Sequence, residues 1–260
     1  NRNAPLLFNL AELQNECSKL FKISPDETLK ITQELYEKKL VTYPRTDARV
    51  LSTAVAKEIY KNIKGLTHYV HGQPFAEEIL ANGSYKKIVK SRYVDDKKIT
   101  DHYAIIPTGQ GLNAMTSLHP TAQKVYEVIT RRFLAIFYPP AIYQKVSLVT
   151  KAGEERFFSN MKVLAEEGYL SVWKPPVSKK KEEKEEKENE EETKYDLAFL
   201  ESLKSLKKGQ EVEVQSLEIK TGETTPPKRY NSGSIILAME NAGQLIEDEE
   251  LRAQIKGSGI

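Results

Sequence analysis

The sequence predicts an α+β multidomain chain: a helical domain over about 1–138, a β-rich segment over about 139–222, and a second helical part beginning in 223–260. Three observations predict it. Helix-start signals with 3.6-residue apolar stripes fill the first half. The period then shifts to short β-branched and aromatic runs divided by Gly, Asn and charged residues. A Lys/Glu run at 179–194 and the pair Pro226-Pro227 punctuate the second half.

Taken in order, Asn9 with Glu12 forms a capping-box-like start, and Leu10, Leu13, Cys17 and Leu20 lie beyond it at helical spacing. Ser24 caps a second helix, with Pro25 at its first position and Asp26 and Glu27 at the positive end of the dipole. That helix should carry Ile31, Leu35 and Tyr36 inward and run to about Lys39. Ser52 begins a third, with Val55, Ile59 and Ile63 on one stripe. Residues 65–118 are mixed and Gly-punctuated. Pro120 to about Phe137 is a further helix (Val125, Val128, Ile129, Phe133, Ile136), closed by Pro139-Pro140.

The runs AIYQKVSLVT, RFFSN, MKVLAEEGYLSVW and GQEVEVQSLEIK predict mainly antiparallel strands over 141–220. The 179–194 run holds six Lys and eight Glu and reads as a solvated linker. SIILAMENAG predicts a short helix stopped by Gly243.

Composition narrows the function classes. A 39% apolar fraction with 13 Tyr and 8 Phe in 260 residues supports a packed core. The net charge is only +2, so any nucleic-acid surface must be local. Cys17 is the single cysteine, which excludes an internal disulfide or a Cys-based zinc site, and its place on an apolar stripe predicts packing. His68 and His71 have the spacing of a helical metal pair but no carboxylate or thiol constellation beside them, so no metal is expected in this chain. No apolar run approaches the roughly 18–20 residues of a membrane span. The N-terminus has neither an initiator Met nor a signal-peptide core, and the C-terminus falls in a loop-like run, so a piece of a longer, cytoplasmic protein is expected.

One stretch carries chemistry. In VTYPRTD, residues 41–47, Pro44 disfavours helix at the preceding residue and pushes Tyr43 into an extended conformation. Extended side chains at i and i+2 share a face, so Tyr43 and Arg45 should point into one space, with Asp47 joining them or holding the arginine's fork. A tyrosine hydroxyl titrates near 10, so its attack on an electrophile needs help. A fixed guanidinium stabilises developing phenolate and binds phosphate bidentately. A second cluster, TDHYAIIPTGQG, sets His102 beside an apolar run; an imidazole there could bridge a phosphate or move a proton.

These residues carry a resemblance. LYEKKLVTYPRTDARVLS resembles the active-site segment of type IA DNA topoisomerases, most closely the bacterial topoisomerase III-like branch. DHYAIIPTG resembles the family's second signature, and PPKRYNSGSIILAMENAG with LRAQIKGSGI resembles its later helical segment. The resemblance runs in order along nearly the whole chain. It implies Tyr43 as the nucleophile forming a 5′-phosphotyrosine link, Arg45 assisting at the scissile phosphate, and His102 contacting that phosphate. It implies DNA-binding roles for Asp47, Arg49, Lys228 and Arg229. It further implies single-stranded DNA as substrate, a monomeric intact enzyme, and Mg²⁺ held by an acidic Toprim domain that this chain lacks, with no small-molecule substrate. Ala48 stands where the family usually has Ser, Tyr103 where related members often place a second His, and YNSGSI at 230–235 where the pattern is closer to YTEASL.

Two other readings compete. A tyrosine recombinase or relaxase-like enzyme would surround its tyrosine with further Arg/His positions or a three-histidine metal cluster, and neither arrangement is present. A single-strand-binding module without chemistry would use the same basic and aromatic residues.

Overall fold

A computed structural model describes residues 1–173, 197–216, 219, 221–224 and 226–242. The helices, in chain order, are α1 (Leu10–Phe21), α2 (Pro25–Glu37), α3 (Thr53–Glu58), α4 (Tyr60–Leu66), α5 (Gln73–Asn82), α6 (Pro120–Ala135), α7 (Leu197–Leu203) and α8 (Ser232–Glu240). Strands β1 (Ile142–Ala152) and β2 (Glu155–Glu166) form one antiparallel pair. The chain divides into two compact units. The first holds 1–141, the turn after β2, and α8; the second holds β1, β2 and α7.

Local chemistry explains the helix starts of the first unit. The Asn9 and Ser24 side chains accept from the backbone N–H three residues on, at 2.9 and 3.1 Å, and Ser52 does the same for Val55 at 3.2 Å. The Asn9 box is not reciprocal, because the Glu12 carboxylate pairs with Arg49 instead. The stripe starting at Ser52 is two helices with a break at Ile59, although Ile59 keeps helical backbone angles and is buried. On α2 the buried stripe is Thr28, Thr32 and Leu35; Tyr36 is 39% exposed, contrary to its expected inward place.

The core gathers around α6, which buries Val125, Tyr126, Val128, Ile129, Phe133 and Leu134. Cys17 is sealed in the core, and burial raises its pKa so far that it stays a neutral thiol. Arg132, also buried, lies 4.1 Å from the rings of both Phe8 and Trp173, and its Nη1 donates to the Leu6 carbonyl at 3.2 Å. Desolvation lowers its pKa to about 10. Trp173 thereby ties the turn after β2 to the N-terminal segment of the same unit.

The non-helical stretch 99–111 is held by backbone pairing. Ile105 donates to Phe8 at 2.8 Å, Ala104 to Val50 at 3.0 Å, and Thr108 to Leu40 at 2.9 Å. Two glycines allow this. Gly109 has φ +77°, and a Cβ on Gly65 in α4 would lie 2.1 Å from the Gly109 carbonyl oxygen. The loop and helix therefore cross backbone to backbone, a contact only glycine permits.

In the second unit, β1 and β2 pair from Ala152↔Glu155 to Ile142↔Glu166 around the two-residue loop Gly153-Glu154, with Gly153 at φ +60°. RFFSN and MKVLAE are one strand, and GYLS is a 3₁₀ turn. The expected strand in GQEVEVQSLEIK is corrected: the described residues 210–216 and 219 lie in no strand. Val212 and Val214 are 54% and 58% exposed there. A strand needs a partner ladder for its N–H and C=O groups, and none is paired with this run among the described residues. The region read as mainly β also contains α7. The charged run 179–194 and the stop at Gly243 lie outside the described residues. Among those residues, no helix is long and apolar enough to cross a membrane.

Candidate active site

Tyr43 leaves α2 through a sharp turn. Lys39 takes φ +62°, Leu40 is buried, and Val41 bridges Pro107 across the 99–111 stretch. Two threonines then clamp the tyrosine from either side. Thr42 exchanges backbone and side-chain bonds with that stretch: its N–H donates to the Ile106 carbonyl (3.0 Å), its Oγ1 donates to the Ala104 carbonyl (3.0 Å), and the Ile106 N–H donates to Oγ1 (2.9 Å). Thr46, buried, donates from Oγ1 to the His102 carbonyl at 2.7 Å and accepts there from the Ala48 N–H at 3.1 Å. Its own carbonyl accepts from the first residue of α1, Leu10, at 3.1 Å. The two sequence motifs are thus stitched together around Tyr43.

The result is a phenol and an imidazole in close, tilted ring contact. The Tyr43 and His102 rings lie 4.4 Å apart, tilted by 43°. Tyr36 meets Tyr43 edge-on at 5.5 Å. These rings, with Lys39, Thr42 and Tyr103, line an open pocket of about 450 Å³. Tyr103 is half-buried, and desolvation raises its pKa. His102 also borders a neighbouring pocket of about 620 Å³, lined by Arg45, Asp47, Thr100, Asp101, Gln14 and Glu240. The imidazole therefore stands between the phenol's pocket and the guanidinium's.

Of the remaining predicted residues, Arg45 and Asp47 line one pocket with His102 but do not bond to each other. The Arg45 fork donates to Gln33 of α2 at 2.9 Å, and Asp47 accepts from Thr100 at 3.3 Å rather than orienting that fork. Both side chains are exposed. Arg49 is half-buried, ion-paired to Glu12 and donating to the Leu7 carbonyl at 3.3 Å. Lys228 and Arg229 are exposed residues of the second unit. His71 packs edge-on against Tyr69 at 5.6 Å, and among the described residues no group of three or more His, Cys, Asp or Glu could hold a metal.

Helix α8 reaches this neighbourhood as well. Asn231 and Ser234 form a reciprocal capping box, and a Cβ on buried Gly233 would stand 2.9 Å from Asn15 Cα of α1. The YNSGSI departure therefore has a local reason, a cap followed by a close helix crossing. At the other end of α8, Glu240 accepts from Asn9 Nδ2 at 2.5 Å; desolvation raises its pKa. The sequence motifs did not single out Tyr36, Thr42, Thr46 or Gly65. For Tyr36 a signal exists: with Thr28 and Thr32 on the buried stripe of α2, it falls at the margin, where it can face Tyr43.

Chemically, the arrangement offers a phenol on an open pocket, an imidazole against it, and cations from Lys39 and Arg45 in the linings of adjoining pockets. The phenol can act as a nucleophile and the imidazole and cations can hold an anion, although Glu37 lines the first pocket and Asp47, Asp101 and Glu240 the second.

The family model described as DNA topoisomerase matches residues 1–246. DNA topoisomerase 3 of Bacillus subtilis (strain 168) is 35% identical over 250 residues, which is 95% of this chain and 32% of that protein. The Bacillus licheniformis protein of the same name is 37% identical over 248 residues, again 95% and 32%. The chain spans about a third of the length of the curated relatives it matches. A solved structure of full-length topoisomerase I from Thermotoga maritima shares the fold, with a TM-score of 0.53 at 22% identity over 98% of this chain and 38% of that one.

Proposed function

We propose that this chain, which belongs to the DNA topoisomerase family, carries the nucleophile of a type IA enzyme that opens one DNA strand, passes another and reseals the first. The single observation that carries the reading is the Tyr43 ring 4.4 Å from that of His102 on an open pocket, with Arg45 on the adjoining one.

In this reading Tyr43 Oη attacks the phosphorus of a phosphodiester. The O–P bond to the upstream sugar breaks as the Tyr–O–P bond forms, leaving a 5′-phosphotyrosine and a 3′-oxygen that becomes a hydroxyl by taking up a proton equivalent to the one the phenol loses. One phosphodiester replaces another, so the reverse attack by the 3′-hydroxyl reseals the strand without an external energy source. His102 donates to a non-bridging phosphate oxygen, and Arg45 holds the phosphate from the neighbouring pocket once it exchanges Gln33 for the anion. Asp47, Arg49, Lys228 and Arg229 are DNA-binding residues in this proposal; Arg49 contributes chiefly by fixing the Tyr43 segment to Leu7 and Glu12. Mg²⁺ supplies charge neutralisation in the longer protein from a Toprim domain. The described residues offer no metal cluster of their own. The substrate is single-stranded DNA, and the enzyme works as a monomer in the bacterial cytoplasm.

Tyr43→Phe in the longer protein tests this. Covalent attachment to a labelled single-stranded oligonucleotide should vanish while non-covalent binding persists. Unchanged relaxation activity in that variant would instead favour a binding module, and unchanged attachment would move the nucleophile elsewhere. The 260-residue chain with Mg²⁺ should form adduct far more slowly than the longer protein.

A further inference from the structure

We infer that one face of the β1–β2 hairpin is a second binding surface, for single-stranded nucleic acid, separate from the tyrosine pocket. The inference rests on the hairpin's own chemistry and does not depend on the strand-cleavage reading.

The register decides which side chains share a face. Lys145 lies opposite Lys162, Ser147 opposite Asn160, Val149 opposite Phe158, and Lys151 opposite Arg156. Two contacts verify this grouping. Ser147 Oγ donates to Asn160 Oδ1 at 2.8 Å, and Lys162 Nζ sits 4.3 Å from the ring of Tyr143, its diagonal neighbour. The opposite face carries Val146, Leu148, Met161 and Val163, each at least partly shielded; on the first face Tyr143, Lys162 and Leu164, at the end far from the turn, are partly shielded too. The first face is the open one: Lys145, Lys151, Arg156 and Asn160 are exposed, Val149 is 58% exposed, and Phe158 is 70% exposed.

Its composition is not that of an idle surface. Four cations and two aromatic rings occupy it, and between Tyr143 and Lys151, and between Arg156 and Leu164, it carries no carboxylate. Like charges directly opposite each other destabilise a strand pair. Lys151 and Arg156 form such a pair beside the turn, where folding gains nothing from it. An exposed Phe beside them adds a further cost in water. A polyanion whose repeating unit includes a flat stacking group relieves both at once. Phosphates spaced along a strand neutralise the cations, and unpaired bases stack on Phe158 and Tyr143. A duplex hides its base faces and offers only the phosphates, so the single strand is the occupant that uses the whole face.

The hairpin contains its own control, because Phe157 and Phe158 are adjacent, both exposed, and on opposite faces. The test measures fluorescence anisotropy of roughly 20-mer oligo-dT and oligo-U with the 260-residue chain, across a salt series. Phe158→Ala should weaken binding about 5- to 150-fold, the span of losing one stacked base. Phe158→Trp should restore it, and Phe157→Ala should leave it unchanged. Lys151→Gln with Arg156→Gln should reduce the salt slope by about 1.4, roughly 0.7 for each lost phosphate contact. Tyr43→Phe should leave all these differences in place, which separates failure at the hairpin from failure at the tyrosine site. Circular dichroism of each variant controls for folding, and the charge reversals Lys151→Glu and Arg156→Glu, expected to weaken binding further, supply a second measurement if Phe158→Ala misfolds. Equal losses from Phe157→Ala and Phe158→Ala, or an unaltered salt slope, would overturn the inference. So would self-association through Phe158, seen in sedimentation, with unchanged oligonucleotide affinity; the face would then be a protein contact.

Discussion

Tyr43 and Phe158 both present an aromatic ring to solvent, yet they are held in opposite ways. Tyr43 is half-buried, flanked by threonines whose hydroxyls and backbones bind a segment about sixty residues away, with Tyr36 and His102 against its ring. Phe158 stands on a two-stranded ladder, with the Ser147–Asn160 hydrogen bond and the Lys162–Tyr143 contact across the strands on its face. The first arrangement holds the phenol ring between Tyr36 and His102 on a hydrogen-bonded segment, the kind of positioning that bond-making requires. The second positions only a surface, which is enough for stacking and charge attraction. Altering the first region should therefore cost stability and chemistry together, whereas altering the second should change binding alone.

The largest expected effect probes the frame of the first region. Gly65→Ala forces a Cβ onto the Gly109 carbonyl, so α4 and the loop behind His102 must separate. We expect a loss of about 3 kcal/mol in chemical denaturation; a change below about 1 kcal/mol would show that the crossing yields easily and that the two regions differ less than their contacts imply. Thr46→Val comes next. It strands the His102 carbonyl and the Ala48 N–H without their hydroxyl partner, costing about 2 kcal/mol. In the longer protein it should also slow covalent attachment, while Tyr43 itself is untouched. Normal attachment rates with the expected stability loss would mean that the clamp holds the fold and not the nucleophile.

Glu240 sharpens the picture through pH. Burial raises its carboxyl pKa above the ordinary range, so the ionised form is the one disfavoured by folding. Its contribution to docking α8 on α1 is full below the ordinary carboxylate pKa and fades as pH rises through the raised value. Amide-exchange protection of α8 should increase as pH is lowered from neutrality toward that range, after correction for intrinsic exchange. Glu240→Gln should flatten the trend, and a trend of opposite sign would refute the assignment. The smallest effect belongs to the hairpin: Phe158→Ala should shift unfolding stability by no more than about 0.5 kcal/mol. A large loss would make Phe158 a structural residue and dissolve the contrast.

Much of this was legible in the chain. The helix starts at Asn9, Ser24, Ser52 and Pro120 are short-range events, each closed within about one helical turn by a cap or a proline that needs no tertiary partner. The hairpin strands showed in their β-branched and aromatic runs, but GQEVEVQSLEIK shows the limit of that signal. Its alternation is as good as that of β2, and its described residues lie in no strand because strand formation needs a second ladder.

By itself, then, the sequence determined the helix starts at Asn9, Ser24, Ser52 and Pro120, the packing of Cys17, and the motifs that mark the family. Only the tertiary structure decided that Arg45 turns to Gln33, that Tyr36 faces Tyr43, that Thr42 and Thr46 bind the His102 segment, and that Gly65 admits Gly109. Caps, prolines and apolar periods act over one helical turn and can be read from neighbours. Partner choice depends on which distant backbones arrive at the same place, and on which polar groups lose water when they do.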